Sequence, residues 1–287
     1  MSKIGLVSYP WDSCPRLANA ASLLTDSLSQ GLRKSNFVTS ERSGQFEFET
    51  RFATFNSHSG KMENGVTEEF YNQSLEMMQE CQLVTRSHEV RDYYYYVPTE
   101  NNQTMYVRTR VEFPNHSQTD PDQTVQPVIH HIVKHKIFQL DFDILNKTSG
   151  QHFKSHSVLP HSIRCCLNWE ETIAPELIPK SIVPVFVRII QPCQFLYINK
   201  NNSIIRPIWS YDFAKTWSGP TAELAEIAQK SSPPIYEIEA ECMDPIAYMK
   251  SVGKDESYAA TSLLLKTCDF LDFSEPPLEN YVLVPKC

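Results

Sequence analysis

Two short runs far apart in the chain share one alternation. In Phe46-Glu47-Phe48-Glu49-Thr50-Arg51-Phe52 and in Tyr236-Glu237-Ile238-Glu239-Ala240-Glu241-Cys242, every second residue is charged and those between are apolar or small. This is the period of a β-strand with one apolar and one charged face. The same period recurs between the two runs. Arg108, Arg110 and Glu112 share a face against Val107, Thr109 and Val111, and Lys134 and Lys136 share one against Val133 and Ile137. Arg164, Asn168 and Glu170 oppose Leu167 and Trp169, and Ser210 and Asp212 oppose Trp209, Tyr211 and Phe213.

Strands are therefore predicted at about 45–55, through Leu83 to His88, Tyr93 to Val97 and Arg108 to Glu112, and at 128–140, 162–170, 183–198 and 204–214. The second acidic strand follows the Ser231-Ser232-Pro233-Pro234 break. Helical spacing of Leu17, Ala20, Ala21, Leu24 and Leu28 predicts a helix from Leu17 to Leu32. A second helix starts at the N-cap Thr67, buries Phe70, Leu75, Met78 and Cys81, and ends near Gln82. Further helices are predicted at 219–230 and 257–268. Gly60 to Gly65 and 114–126 read as loops, the latter mobile, and 280–285 as an extended tail. Without an internal repeat or clear linker, the chain reads as one domain: a loop and helix over 1–40, a strand-rich body over 45–245, and a helix and tail over 250–287.

Composition narrows the chemistry. The 287 residues include only 8 Gly against 19 Pro, and neither GxxxxGK[ST] nor GxGxxG occurs. A formal charge of −8 opposes a general grip on duplex DNA. No apolar run reaches the length of a membrane span. The 8 Cys are scattered without a CxxC, Cys165 and Cys166 point to opposite faces of a strand, and Ile4 to Val7 is too short for a signal peptide. These features predict free thiols and an intracellular location, in cytoplasm or nucleus. His131 and His135 would pair for zinc on a helix, but a strand separates them.

Two architectures satisfy the repeated faces. In a sandwich the charged faces meet water; in a closed barrel they line a lumen, and helices cover the apolar outside. In the barrel, two rows of carboxylates repel and their pKa values rise unless cations lie between them. A hard divalent metal with oxygen ligands, opposite a phosphate-rich substrate, would relieve that repulsion.

Three runs together resemble a known family: Glu47-x-Glu49-x-Arg51, Ile163-Arg164-Cys165-Cys166-Leu167-Asn168-Trp169-Glu170 and Tyr236-Glu-Ile-Glu-Ala-Glu241. In this order, over about 45–245, they resemble the tunnel-type, metal-dependent RNA 5′-triphosphatases, the capping enzymes of fungi, protozoa and large DNA viruses among the triphosphate tunnel metalloenzymes. The resemblance implies a mainly β (α+β) fold, a closed antiparallel eight-stranded β-barrel with helices packed outside. It places Mn²⁺ or Mg²⁺ on Glu47, Glu49, Glu239 and Glu241, with Glu237 beside them. It gives Glu170 the attacking water, Arg108, Lys134, Lys136 and Arg188 the phosphates, and Asp212 the family's penultimate motif. Arg51, Arg110 and Arg164 are assigned to substrate binding.

The implied activity is removal of the γ-phosphate from nascent RNA 5′ ends, the first step of mRNA capping. No KxDG motif and no Gly-rich methyltransferase loop occur, so the guanylyltransferase and methyltransferase partners would be separate chains, with RNA polymerase as a further partner. A viral origin would place the protein in a virion or viral factory. One departure stands out: where the family has a basic R-x-K-x-R strand, this chain has Arg188 followed by Ile190 and Pro192, and Ala214 replaces a threonine. Lys134, Lys136, Arg108, Arg110 and Arg206 are left to compensate. Two alternatives follow: a tunnel phosphatase for inorganic or small organic triphosphates, whose relatives carry ExExK where this chain has Arg51, or a weakened barrel serving as an interaction subunit.

Overall fold

A computed structural model describes residues 17–39, 44–56, 61–81, 83–99, 103–113, 126–151, 160–198, 207–272 and 281–286. The predicted loop at 114–126 lies outside the described residues except for its last position, and Arg206 lies outside them too. The strands are β1 (Gly44–Asn56), β2 (Lys61–Asn64), β3 (Val84–Arg86), β4 (Glu89–Pro98), β5 (Thr104–Phe113), β6 (Val128–Asn146), β7 (Ser162–Thr172), β8 (Phe186–Ile198), β9 (Pro207–Gly219), β10 (Ile235–Cys242) and β11 (Tyr281–Pro285). The helices are α1 (Ala18–Thr39), α2 (Glu68–Gln79), α3 (Ala222–Ser231), α4 (Pro245–Val252) and α5 (Glu256–Asp272).

Eight antiparallel strands close on themselves in the order β1, β10, β9, β8, β4, β5, β6, β7. Closure is made by the first acidic strand. β1 pairs with β7, setting Glu47 across from Asn168, and with β10, setting Glu49 across from Glu241 and Arg51 across from Glu239. The charged faces therefore line a lumen, and the sandwich is excluded. β2 extends the sheet at the end of β1, β3 pairs with β8, and β11 pairs with β6.

The apolar faces form the core between the barrel wall and the helices. Phe48, Phe52, Phe142, Leu167, Tyr211 and Phe213 pack in one buried cluster with Leu24 and Leu28 of α1 and Leu263 and Phe270 of α5. Phe270 sets its ring edge-on to Phe52, Tyr211 and Phe213, at centroid distances of 5.9–6.1 Å. In α2, Thr67 caps the helix as predicted, its Oγ1 accepting from the Phe70 N–H at 3.2 Å.

Several sequence expectations need correction. Part of the Gly60 to Gly65 loop is strand β2, a short hairpin partner of β1. The first helix runs past Leu32 to Thr39, and β6 and β9 run past their predicted ends to Asn146 and Gly219. The tail read as extended at 280–285 is extended, and pairs with β6 as β11. Helix α4 was not predicted: eight residues are too few to reveal a period. Its signals were Asp244, which caps Ala247 N–H at 2.9 Å, Pro245 in the first turn, and Gly253 at φ 63° after the last.

Pro192 sits inside β8, where a proline removes a ladder donor. β3 and β4 share one register along β8, with Arg86 across from Gln194 and Val90 across from Ile190. The break between them, at Ser87-His88, falls opposite Pro192.

Candidate active site

The lumen contains two cavities that share Arg51, Arg108 and Arg188. One, of about 350 Å³, is lined by Glu47, Glu170, Asp212, Glu237, Glu239 and Glu241 together with Arg110, Val90, Ile190 and Pro192. The other, of about 330 Å³, is lined by Glu49, Lys134, Lys136, Arg164, Tyr94 and Tyr106. The arginine trio thus separates an acidic half from a half rich in cations and tyrosine.

Glu49 lies at the centre of the contacts. It is buried and accepts from Arg51 Nη2 at 3.0 Å, Lys134 Nζ at 3.3 Å and Asn168 Nδ2 at 3.1 Å. Lys134 also pairs with Glu47 and lies 3.8 Å from Glu170. Arg108 donates to Glu170 at 2.9 Å, and Arg51 Nε is 3.1 Å from Glu239. Arg188 pairs with Glu237, which also accepts from Thr216 Oγ1 at 2.7 Å. Asp212 accepts from Ser210 Oγ at 2.6 Å. Three assigned cations stand apart from this cluster. Arg110 is engaged by the buried Asp92 through two bonds of 2.9 Å. Arg164 is bonded to Asp141 at 2.8 Å, and the exposed Lys136 donates to Gln139 at 2.8 Å.

Burial raises the carboxyls of Glu47, Glu49, Asp212, Glu239 and Glu241, and the neighbouring charges decide the outcome for each. For Glu49 the opposing charges of Arg51 and Lys134 win and hold it at about 2. For Glu47, burial joined by Glu49 and Glu170 outweighs Lys134 and raises it to about 7. Glu239 also rises to about 7: burial leads, Arg51 opposes it, and Glu49 and Glu237 add to it. Burial and then Glu47 and Asp212 push Glu241 well above the ordinary range. Asp212 is raised by burial against hydrogen bonds from Ser210 and Gln194. Among the described residues Glu241 has no cationic partner.

The acidic half therefore carries more negative charge than its cations cover, and protons or a bound cation must make up the difference. Its donors are oxygens, the set a hard divalent ion takes. Chemically the residues fit Mn²⁺ or Mg²⁺. Among the described residues, however, no group of three or more His, Cys, Asp or Glu side chains is drawn together as a ready-made metal site. Lys134 and Arg51 stand between the carboxylates instead.

No protein-family profile matches the chain, and no curated protein matches it. Solved structures do. The S. pombe Pct1 RNA triphosphatase superposes with a TM-score of 0.52 at 10% identity, covering 94% of this chain and 98% of Pct1. Pct1 in complex with the Spt5 CTD gives a TM-score of 0.51 at 11% identity, over 86% and 91%. The chain has the fold of the RNA triphosphatase barrels. The triphosphatase domain of a mimivirus mRNA capping enzyme is also similar, with a TM-score of 0.43 at 14% identity over 86% and 95%. Within this barrel, Ile190, Pro192 and Ala214 all line the lumen, so the departures from the pattern that the sequence resembles lie inside it.

Sequence reasoning missed Asp92, Tyr94 and Tyr106 as lumen residues and left Asn168 without a role. The signal for Asp92 was parity: it shares its face of β4 with Tyr94 and stands across from Arg110. A run of four tyrosines, read as β-prone sequence, masked it.

Proposed function

We propose that the protein is an mRNA 5′-triphosphatase, which removes the γ-phosphate of nascent RNA 5′ ends. The reading rests chiefly on one juxtaposition: incompletely neutralised carboxylates of β1 and β10 face cations of β5, β6 and β8 across a closed lumen. Glu47, Glu49, Glu239 and Glu241 would hold Mn²⁺ or Mg²⁺, with Glu237 beside them. Such an ion, when bound, polarises phosphoryl oxygens as a Lewis acid. Arg51, Arg108, Lys134 and Arg188 bind and orient the triphosphate, and their counter-carboxylates hold them in place before substrate arrives. Glu170, fixed by Arg108 at 2.9 Å, orients the attacking water and takes its proton. The γ-phosphorus–oxygen bond to the leaving group breaks as the water oxygen bonds to phosphorus, leaving RNA with a diphosphate end and free phosphate. A separate guanylyltransferase and methyltransferase would act next. RNA polymerase is a further proposed partner, and a protein segment that docks on this chain as the Spt5 CTD does on Pct1 is another.

A second reading has its own observation. Ile190 and Pro192 remove two expected cations from the lumen, which favours a weakened barrel acting as an interaction subunit. Release of labelled γ-phosphate from 5′-triphosphorylated RNA separates the two. With manganese or magnesium, release is expected to stop in chelator and to fall at least about 100-fold in the Glu47→Ala/Glu239→Ala variant, roughly 3 kcal/mol of transition-state stabilisation. No release by the folded wild type would favour the interaction subunit. Equal preference for tripolyphosphate and RNA would favour a small-triphosphate phosphatase.

A further inference from the structure

The cation-rich cavity has an aromatic rim that the proposed chemistry does not use. Tyr94 and Tyr106 line it beside Arg108 and Arg188. On β5, Tyr106, Arg108 and Arg110 share a parity, as do Asp92, Tyr94 and Tyr96 on β4, and Tyr96 pairs directly with Tyr106. The aromatic residues thus continue the lumen-facing row outward, each about 7 Å beyond the last, the advance of two residues along a strand. Tyr94 and Tyr106 are stacked, with centroids 5.5 Å apart and planes at 17°. Tyr96 lies 5.2 Å from Tyr106, and Phe186, from the neighbouring strand β8, lies 5.9 Å from Tyr94.

Cross-strand aromatic pairs also stabilise hairpins, and that role alone would explain the contacts. It does not explain the exposure. Tyr96 is 57% exposed, Tyr106 46% and Phe186 37%, although Tyr93 and Tyr95 on the other face of β4 pack on apolar clusters. Half-open rings bordering a polyanion-sized cavity offer what a base next to a 5′-triphosphate needs: a π-face for stacking, one step from cations for the phosphates.

We propose that Tyr96, Tyr106 and Phe186 form a stacking platform for the first nucleobase of a 5′-triphosphorylated RNA, so that the barrel holds an RNA end in preference to a bare triphosphate. This rests on the triphosphatase reading and deepens it. Stacking accepts any base, so the platform selects for RNA ends without regard to sequence.

The test compares wild type, Tyr96→Leu/Phe186→Leu and Tyr96→Phe on three substrates with manganese: a triphosphorylated oligoribonucleotide, a nucleoside triphosphate and inorganic tripolyphosphate. The leucines keep apolar bulk but lose the π-face. The kcat/KM ratio of RNA to tripolyphosphate is expected to fall about tenfold in the leucine variant, through KM, and to be preserved in Tyr96→Phe. A nucleoside triphosphate that loses as much as RNA would place the contact on the first base alone; one that loses nothing would overturn that assignment. An unchanged ratio overturns the platform and leaves the triphosphatase reading intact. If the wild type hydrolyses none of the three, that reading fails, and the platform is judged by binding. A triphosphorylated oligonucleotide with 2-aminopurine at its first position should then be quenched by wild type and not by the leucine variant; equal signals overturn the proposal.

Discussion

Asp92 is fully buried, and its two oxygens accept from Nε and Nη2 of Arg110. Burial alone would raise its carboxyl, but the hydrogen bonds and charge of Arg110 outweigh it and hold Asp92 below the ordinary value. A group held low in the folded state contributes stability above its unfolded pKa and loses it as pH falls through the folded one. Asp92→Asn is therefore expected to lower stability by about 2 kcal/mol at pH 7, below the usual cost of breaking a buried pair because Arg110 remains partly solvated. In thermal melts the gap between wild type and variant should narrow below about pH 4; a gap constant from pH 7 to 3 would exclude the ion pair as its source. The same pair marks a limit of sequence reading. Alternation put Glu47, Glu49, Glu170 and Arg108 on the charged faces that the structure turns to the lumen, since parity is local. Which charge meets which is set by strand register, so nothing in the alternation could show that Arg110 is committed to Asp92 or that Lys134 stands between Glu47 and Glu49.

Among the strands, β1 carries the tightest constraint. At Gly44 a Cβ would stand 2.4 Å from the Glu170 carbonyl oxygen and 2.6 Å from the Trp169 ring, so β1 and β7 approach closely only because this position has no side chain. Gly44→Ala should force β1 away from β7 where Glu170 begins its contact with Arg108, at a cost of about 2 kcal/mol. A urea midpoint unchanged by the substitution would contradict the packing. Long strands and α1, α2 and α5 were legible because each repeats its period several times. β2 and α4 were not, being four and eight residues long. Pro192 appeared in the sequence only as a lost cation; the structure adds that it faces the gap between β3 and β4, a pairing no linear reading contains.

For the whole molecule, the crowded lumen links folding to protons and, if the proposed metal site exists, to cations. Glu47 and Glu239, raised to about 7 from an ordinary 4.5, bind protons in the folded barrel that the unfolded chain has released. Their contribution is complete below about pH 4.5 and is lost as pH rises through 7. Glu49, lowered to about 2, works in the opposite sense and loses its contribution as pH falls from 4.5 toward 2. In chelator the melting midpoint should therefore peak near pH 5 and decline toward pH 8, and manganese should raise it at pH 8 more than at pH 5. A midpoint in chelator that climbs from pH 5 to 8 would contradict this. The closure of the barrel also sets a schedule. Thr50 of the first acidic strand lies against Ala240 of the last, 190 positions away. On the ribosome β1 must wait for nearly the whole barrel sequence to emerge before its final partner exists, and such long-range pairing is slow. During that wait the carboxylates of β1 face water, which keeps an unfinished sheet edge soluble. A nascent chain that has not yet delivered β10 has only half of the acidic wall, so the proposed cation site would be complete only once β10 has docked against β1.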